Sequence, residues 1–238
     1  MAPRDVSERI QSQLALDTTP VGLAFVQEPP SGVRVEEAAV PSACTFWRRA
    51  ERGLFYAAAE QHLNCQVGAM VMGFELPAAV QEELGGLVQT MCANNYLAPE
   101  EGDKIPSMRG QAAGIVYGPL AEFPSTPDVV LLWLTPKQAM LYSEAAGTAS
   151  WAAPPSSATG RPACAALPLA IEGGEPRLSL GCMGMRTFTE VADDRLLAAI
   201  PGSGLDKFVL ALDRMLSANQ FMESYYQQRK ATVGGSAA

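Results

Sequence analysis

The sequence predicts an α+β fold made of two similar halves, with α/β as the alternative class. Runs of strand character alternate with runs of helical periodicity along the 238 residues. An apolar segment that opens with proline occurs twice, at 20–26 and 127–133, and a pair of cysteines follows each copy. We therefore expect one compact domain with two halves, 1–110 and 111–230, related by a pseudo-twofold axis, with mixed sheets and flanking helices. Residues 231–238 are expected to form a disordered tail.

The first half is expected to begin with an amphipathic helix. Val6, Ile10 and Leu14 recur at helical spacing, and Pro20 ends this segment. The apolar run after Pro20 predicts a buried strand over 21–26. Three further elements are expected in this half: a helix from Cys44 to about Arg52, a strand over 54–59 and a helix over 76–96.

The second half is expected to follow the same plan. Strands are predicted over 115–117 and 129–134, and a helix over 136–146. The segment 147–162 is rich in Ser, Ala, Gly and Pro, which predicts a loop that could act as a lid. A long helix is predicted over 205–228, where apolar residues recur at helical spacing: Phe208, Leu212, Met215 and Leu216.

Four of the five cysteines form two matching pairs. Cys65 follows Cys44 by 21 residues, and Cys182 follows Cys164 by 18 residues. In both pairs the first cysteine follows an alanine, and the second precedes a stretch with glycine and methionine. Two related halves packed about a pseudo-twofold axis would bring these four thiols near one point, which predicts a metal centre. Cys92 has no counterpart and is expected to be a packing residue.

The net charge of −8 argues against two classes of partner. Nucleic acid and anionic membrane both require a basic face, so neither is expected. The chain has no apolar run of the roughly 20 residues that span a bilayer and no signal peptide, so a cytoplasmic location is predicted. Grouped cysteines in that reducing compartment are more often ligands or redox groups than disulfides. The expected partner is a small-molecule substrate or an electron-transfer protein, and a homodimer is left open.

Motifs in both halves carry a resemblance to a known family. In the first half, Cys44 is followed by a helix bearing Ala and Arg, and Cys65 by a glycine-containing apolar turn. In the second half the motifs are the segments 114–121, 127–132, 136–140 and 181–186. In this order they resemble the family called domain of unknown function 169, over roughly residues 19–208. The resemblance implies paired-cysteine proteins of bacteria and archaea, many of them anaerobes, without a settled reaction.

Four thiolates can hold tetrahedral zinc or an iron-sulfur cluster. Structural zinc sites usually take closely spaced cysteine pairs, whereas these four ligands are single and must come from four separate segments. Such an arrangement is compatible with a cluster held between two halves. We therefore expect a 4Fe-4S cluster on Cys44, Cys65, Cys164 and Cys182 that acts in electron transfer or in reduction of a small molecule. If the protein is an enzyme, it is expected to be an oxidoreductase.

Three other interpretations of the cysteines stay open. The protein could be a non-enzymatic binding module with zinc, haem or no metal at all between the halves. It could be a metal-free thiol redox enzyme in which Cys65 and Cys182 exchange a disulfide. The cysteines could also be small buried apolar residues, although their recurrence at matching places argues against four independent core positions.

His62 and Arg186 are the candidate catalytic residues. His62 is the one histidine of the chain and lies three residues before Cys65. It could donate a proton, or donate a hydrogen bond to a thiolate or to a substrate. The alternative is a satisfied polar residue near a turn; in either case Glu60 could set its tautomer. Arg186 follows Cys182 and could hold an anionic substrate group, offset thiolate charge or form an ordinary salt bridge.

Methionines flank the second cysteine of each pair. Met70 and Met72 follow Cys65, and Met183 and Met185 follow Cys182. Core packing is the expected role for all four. They could instead shield a cluster from water and so tune its potential, or act as soft ligands to copper or haem.

Overall fold

A computed structural model describes residues 1–149 and 158–234, and its centre is a mixed seven-stranded sheet. The strands are β1 (Val21–Val26), β2 (Arg34–Val35), β3 (Phe55–Ala58), β4 (Gly114–Pro119), β5 (Val129–Leu134), β6 (Arg177–Ser179) and β7 (Leu196–Pro201). Their order across the sheet is β2-β3-β4-β1-β5-β7-β6. Neighbouring strands are antiparallel except for β2 and β3, which are parallel.

Helices surround this sheet, which confirms the α+β class. They are α1 (Pro3–Leu14), α2 (Cys44–Arg49), α3 (Gln66–Val71), α4 (Ala78–Ala93), α5 (Pro99–Gly102), α6 (Pro136–Ala145), α7 (Ala166–Gly173), α8 (Met183–Thr189) and α9 (Leu205–Gly234). Over the residues that the structure describes, no helix combines the length and the apolar character needed to cross a membrane.

The two faces of the sheet carry separate cores. Side chains of successive strand residues point to opposite faces, and β5 is buried along its whole length. Val129, Leu131 and Trp133 belong to a core that also contains Cys44 and Cys164. The residues between them belong to a second core formed with α1, α6 and α9: Val130, Leu132 and Leu134. The cysteines therefore lie on one face of the sheet, and the longest helix lies on the other.

Strand pairing repeats between the two parts of the sheet. β1 pairs with β4, and β4 with β3, just as β5 pairs with β7, and β7 with β6. β2 runs parallel to β3, and Thr159 makes a parallel bridge to Ser179 of β6. β1 and β5 are antiparallel neighbours at the junction. This matched pairing agrees with two copies of one unit, while their relation by a pseudo-twofold axis stays a prediction.

The boundary at residue 110 also stays a prediction. β4 lies beyond that boundary, yet it pairs with β1 and β3 and takes the place that β7 takes in the other part of the sheet. α9 extends to Gly234, so residues 231–234 of the expected tail are helical, and 235–238 lie outside the described residues. Half of the predicted lid loop, residues 150–157, lies outside them as well.

Most predicted elements are present with shifted ends. The strands over 21–26 and 129–134 have the predicted bounds. The helix predicted over 76–96 is the shorter α4, because the backbone at its N-cap residue Pro77 is extended. Several elements were not predicted, among them α3 and α8, which are short and begin directly after cysteines, and β7, a continuous apolar run that lies between β5 and β6.

Candidate functional site

The four paired cysteines line one cavity of about 620 Å³. They arrive from four separate segments, two in each half of the chain. Cys44 and Cys164 are 5% and 4% exposed, while Cys65 and Cys182 are partly exposed. The structure thus brings together the four residues that the repeat singled out.

Each of these cysteines lies at the start of a helical segment. Cys44 is the first residue of α2, and Cys164 lies in the short turn Ala163–Ala165 that leads into α7. Cys65 and Cys182 are the N-cap residues of α3 and α8. Equivalent cysteines of the two pairs therefore have equivalent local settings. The N–H of Met185 donates a hydrogen bond of 3.4 Å to the Cys182 Sγ.

Glycines make room next to the second cysteine of each pair. A Cβ at Gly68 would lie 2.8 Å from the Cys65 Sγ, which real Cβ atoms essentially never do. Gly181 has φ +82° and would bring a Cβ to 2.5 Å from the Met185 side chain. Glycine at position 68 therefore leaves room for the Cys65 thiol, and glycine at position 181 suits the positive φ just before Cys182.

Burial and repulsion by neighbouring thiols oppose ionisation of the two buried cysteines, Cys44 and Cys164. Burial raises the pKa of Cys44 well above its usual range, and the neighbouring thiols of Cys164, Cys65 and Cys182 raise it further. Burial likewise raises the pKa of Cys164, with smaller contributions from Cys65 and Cys182. Bound cations reverse this preference, because a coordinating thiol loses its proton to the metal. The buried cysteines are thus neutral thiols unless positive charge lies between them.

The thiols do not form a closed set of metal ligands. Across residues 1–149 and 158–234, no three histidine, cysteine, aspartate or glutamate side chains are arranged to hold a metal ion. The four cysteines share a cavity wall, and the Cys65 Sγ lies 3.8 Å from the Ser42 hydroxyl oxygen.

His62 lies in the core outside the cavity lining. It is fully buried, with Nδ1 2.7 Å from the Ala58 carbonyl oxygen and Nε2 2.8 Å from the Tyr117 hydroxyl. Because a carbonyl only accepts, Nδ1 carries the proton and Nε2 accepts from Tyr117. The Ala58 carbonyl therefore sets the tautomer, which corrects the expectation for Glu60. Burial lowers the pKa of His62 to about 4, so the ring is neutral at pH 7.

Tyr117 connects this histidine to the cysteine region. Burial raises the pKa of Tyr117 well above its usual range, and the thiols of Cys44, Cys164 and Cys65 are near enough to raise it further. The pair of His62 and Tyr117 therefore lies behind the cysteines as seen from the cavity. This position matches a satisfied polar residue, and a catalytic role for His62 stays a prediction.

Arg186 joins the backbone segments before and after α8 through hydrogen bonds. Its Nη2 donates to the carbonyl oxygens of Leu180 at 2.9 Å and Arg195 at 3.1 Å, and its Nη1 donates to that of Asp193 at 3.4 Å. The side chain lies outside the cavity lining. These contacts describe a structural role, and contact with a substrate stays a prediction.

The four methionines near the cysteines have different environments. Met70 and Met185 line the cavity. Met72 is fully buried, with its sulfur 3.9 Å from the Tyr117 hydroxyl. Met183 is 67% exposed, so the expectation of core packing is wrong for this residue.

The sequence did not reveal the apolar wall of the cavity. Leu84, Leu87, Val88 and Met91 of α4 line it. All four positions belong, with Val80, to an apolar stripe that is visible in the sequence, but a stripe of this kind usually packs against a core. The rest of the wall includes Tyr96 and Arg161. Cys92 lies on the same helix, is partly exposed, and does not join the four paired cysteines.

Comparisons with known proteins agree with the motifs in the sequence. No curated protein and no solved structure matches the chain. One family model, described as uncharacterised ArCR, matches residues 9–210 and so includes all four paired cysteines. Because that match covers most of the 238 residues, the chain belongs to the domain of unknown function 169 family.

Proposed function

We propose that the protein binds an iron-sulfur cluster, 4Fe-4S, through Cys44, Cys65, Cys164 and Cys182, and that it has a redox role. The observation that carries the proposal is that these four cysteines, from four separate segments, line one cavity. Independent core cysteines have no physical reason to meet at one cavity wall. Four thiolates are the ligand set that a 4Fe-4S cluster takes from a protein.

The size and surroundings of the cavity support a cluster. A volume of about 620 Å³ leaves room for a group larger than a single ion. Burial and repulsion raise the pKa of Cys44 and Cys164, so ionisation of these thiols needs a positive group between them. The iron ions of a cluster would supply that charge. Met70 and Met185 in the wall would limit access of water, which affects the reduction potential of a cluster.

The number of cysteines that bind would decide the chemistry. Four protein ligands would occupy every iron and favour electron transfer, with a second protein as electron partner. Three ligands would leave one iron free to bind a small molecule in the cavity, which would make the protein an oxidoreductase. A cytoplasmic location, where reducing conditions keep the thiols available, is part of the proposal.

The experiment is metal analysis of the full-length chain purified without oxygen. We expect about four irons and four acid-labile sulfides per chain, with visible absorbance that bleaches on reduction. Cys65→Ser should lower the iron content, while Cys92→Ser is the matched control and should not. Reconstitution with iron and sulfide separates loss during purification from inability to bind.

Other results would overturn the proposal. Zinc without iron would support a structural metal site, and a Soret band would support haem. A chain that stays free of iron after reconstitution, with Cys65 and Cys182 oxidised and reduced reversibly, would support a thiol redox enzyme.

A further inference from the structure

We infer that the same cavity binds an uncharged, apolar organic molecule between the cysteines and helix α4. This inference deepens the proposed function, because it names the class of molecule that would lie beside the cluster. Only the contact between the bound molecule and the cluster rests on the proposed function. The binding itself follows from the cavity wall.

Helix α4 covers the cavity without being packed into a core. It has 16 residues, none of which is buried. Leu84, Leu87, Val88 and Met91 are partly exposed and line the cavity, whereas Glu82 on another face is exposed. The apolar stripe of a surface helix normally packs against other apolar side chains. Here the stripe borders open space, and a bound apolar molecule would complete its packing.

The rest of the lining is largely apolar as well. Met70 and Met185 lie next to the cysteines, and further apolar side chains complete the lining: Val67, Leu97, Ile105 and Phe188. A cavity of about 620 Å³ is within the range of sites for small organic ligands, which are mostly apolar with few polar groups. The volume and the lining of the cavity therefore both favour a hydrophobic ligand.

The charges at the cavity favour a neutral ligand. Among the lining residues, Arg161 and Asp103 carry opposite charges. The Arg161 guanidinium lies 4.7 Å from the centre of the Tyr96 ring and 3.6 Å from a carboxylate oxygen of Glu101. Its charge is thus already paired, and the side chain is 45% exposed to water. An anionic ligand would leave water without gaining an unpaired cation. A cationic ligand would meet Asp103, but this carboxylate is exposed to water, where its attraction for a cation is weak.

The first test compares three probes that share one alkyl chain and differ in charge: 1-octanol, octanoate and octylammonium. Binding to the full-length, anaerobically purified chain is measured by isothermal titration calorimetry. We expect saturable binding of one 1-octanol with a negative heat-capacity change. The charged probes should bind at least about tenfold more weakly. Absence of saturable 1-octanol binding, or tighter binding of either ion, would overturn the inference.

A pair of neighbouring substitutions tests the location. Val88→Asp places a carboxylate at the cavity wall, and Gln89→Asp makes a similar change at an exposed position of the same helix. Val88→Asp should weaken 1-octanol binding by about tenfold or more, because it puts a charge at the apolar wall. Gln89→Asp should leave binding unchanged. If Val88→Asp does not fold, Leu87→Ala replaces it and should weaken binding through lost contacts. Equal effects at cavity and exposed positions would contradict the location.

Iron and sulfide analysis of the same samples separates the two proposals. Binding of 1-octanol to a chain that cannot hold iron would support the apolar site and overturn the cluster. A full cluster without 1-octanol binding would support the cluster and overturn the apolar site. If both are present, 1-octanol should alter the electron paramagnetic resonance signal of the reduced cluster, and an unchanged signal would contradict a ligand beside it.

Discussion

The hydroxyl of Tyr117 lies 2.8 Å from Nε2 of His62, in the core behind the cysteine-lined cavity. Residues 55 positions apart in the chain thus satisfy each other's polar atoms where no water reaches. Rings of Phe46 and Phe74 pack at 4.9 and 4.8 Å from the imidazole. This arrangement links the stability of the cysteine-bearing core to the protonation of one histidine.

Stability should fall as the pH is lowered from about 6.5 to about 4. The folded pKa of His62 is lowered to about 4, so in this window the unfolded chain binds a proton that the folded chain does not. Proton uptake by the unfolded state favours unfolding. The free energy of unfolding should decrease by roughly 3 kcal/mol across this window. Urea unfolding at a series of pH values measures it.

His62→Gln is the comparison for this pH dependence. The variant should be less stable at pH 7, yet its free energy of unfolding should change less between pH 6.5 and pH 4 than that of the unaltered chain. If both proteins show the same slope, other groups cause it, and the assignment to His62 is wrong.

Tyr117→Phe should destabilise the protein by about 1–3 kcal/mol. The substitution keeps the ring but removes the donor to His62, and this leaves a buried acceptor without a partner. Tyr226→Phe is the matched control, because Tyr226 is 59% exposed. Chemical denaturation of both variants at pH 7 measures the difference, and equal stabilities would contradict a structural role for the Tyr117 hydroxyl.

Gly68→Ala should displace the Cys65 thiol and lower the iron content. A Cβ at this position would lie 2.8 Å from the Cys65 Sγ and 3.2 Å from the Ala43 Cβ. Gly85→Ala in helix α4 is the control, since nothing lies within 4 Å of its Cβ position. That change should raise stability by about 0.5–1 kcal/mol through helix propensity. Iron analysis should separate the two variants. An unchanged iron content in Gly68→Ala would show that the neighbouring side chains move to accommodate the added Cβ.

Arg186→Ala should lower stability by about 2 kcal/mol, because three backbone carbonyls lose a charged donor. The iron content should stay unchanged if Arg186 only holds the backbone before and after α8. Thermal unfolding and iron analysis of the same sample measure both quantities. Loss of iron without loss of stability would instead indicate a direct role at the cysteine site.

Local patterns in the sequence predicted much of the secondary structure. The strands over 21–26 and 129–134 have the predicted bounds because continuous apolar runs between prolines and turn residues have few alternatives. β7 was missed because a short apolar run can equally be part of a buried helix. The roles expected for Met183 and Glu60 were wrong, since neighbours along the chain do not reveal which side of a turn a residue occupies.

The repeat in the sequence was sufficient to select Cys44, Cys65, Cys164 and Cys182 from the five cysteines. Two copies of one unit place equivalent residues in matching local motifs, so these motifs identified the set. The repeat also predicted that they would meet. The cavity that they line, its apolar wall formed by α4 and the bond between His62 and Tyr117 emerged only from the packing of distant segments. Periodicity tells which side of a helix is apolar, but what that side faces depends on contacts between residues far apart in the chain.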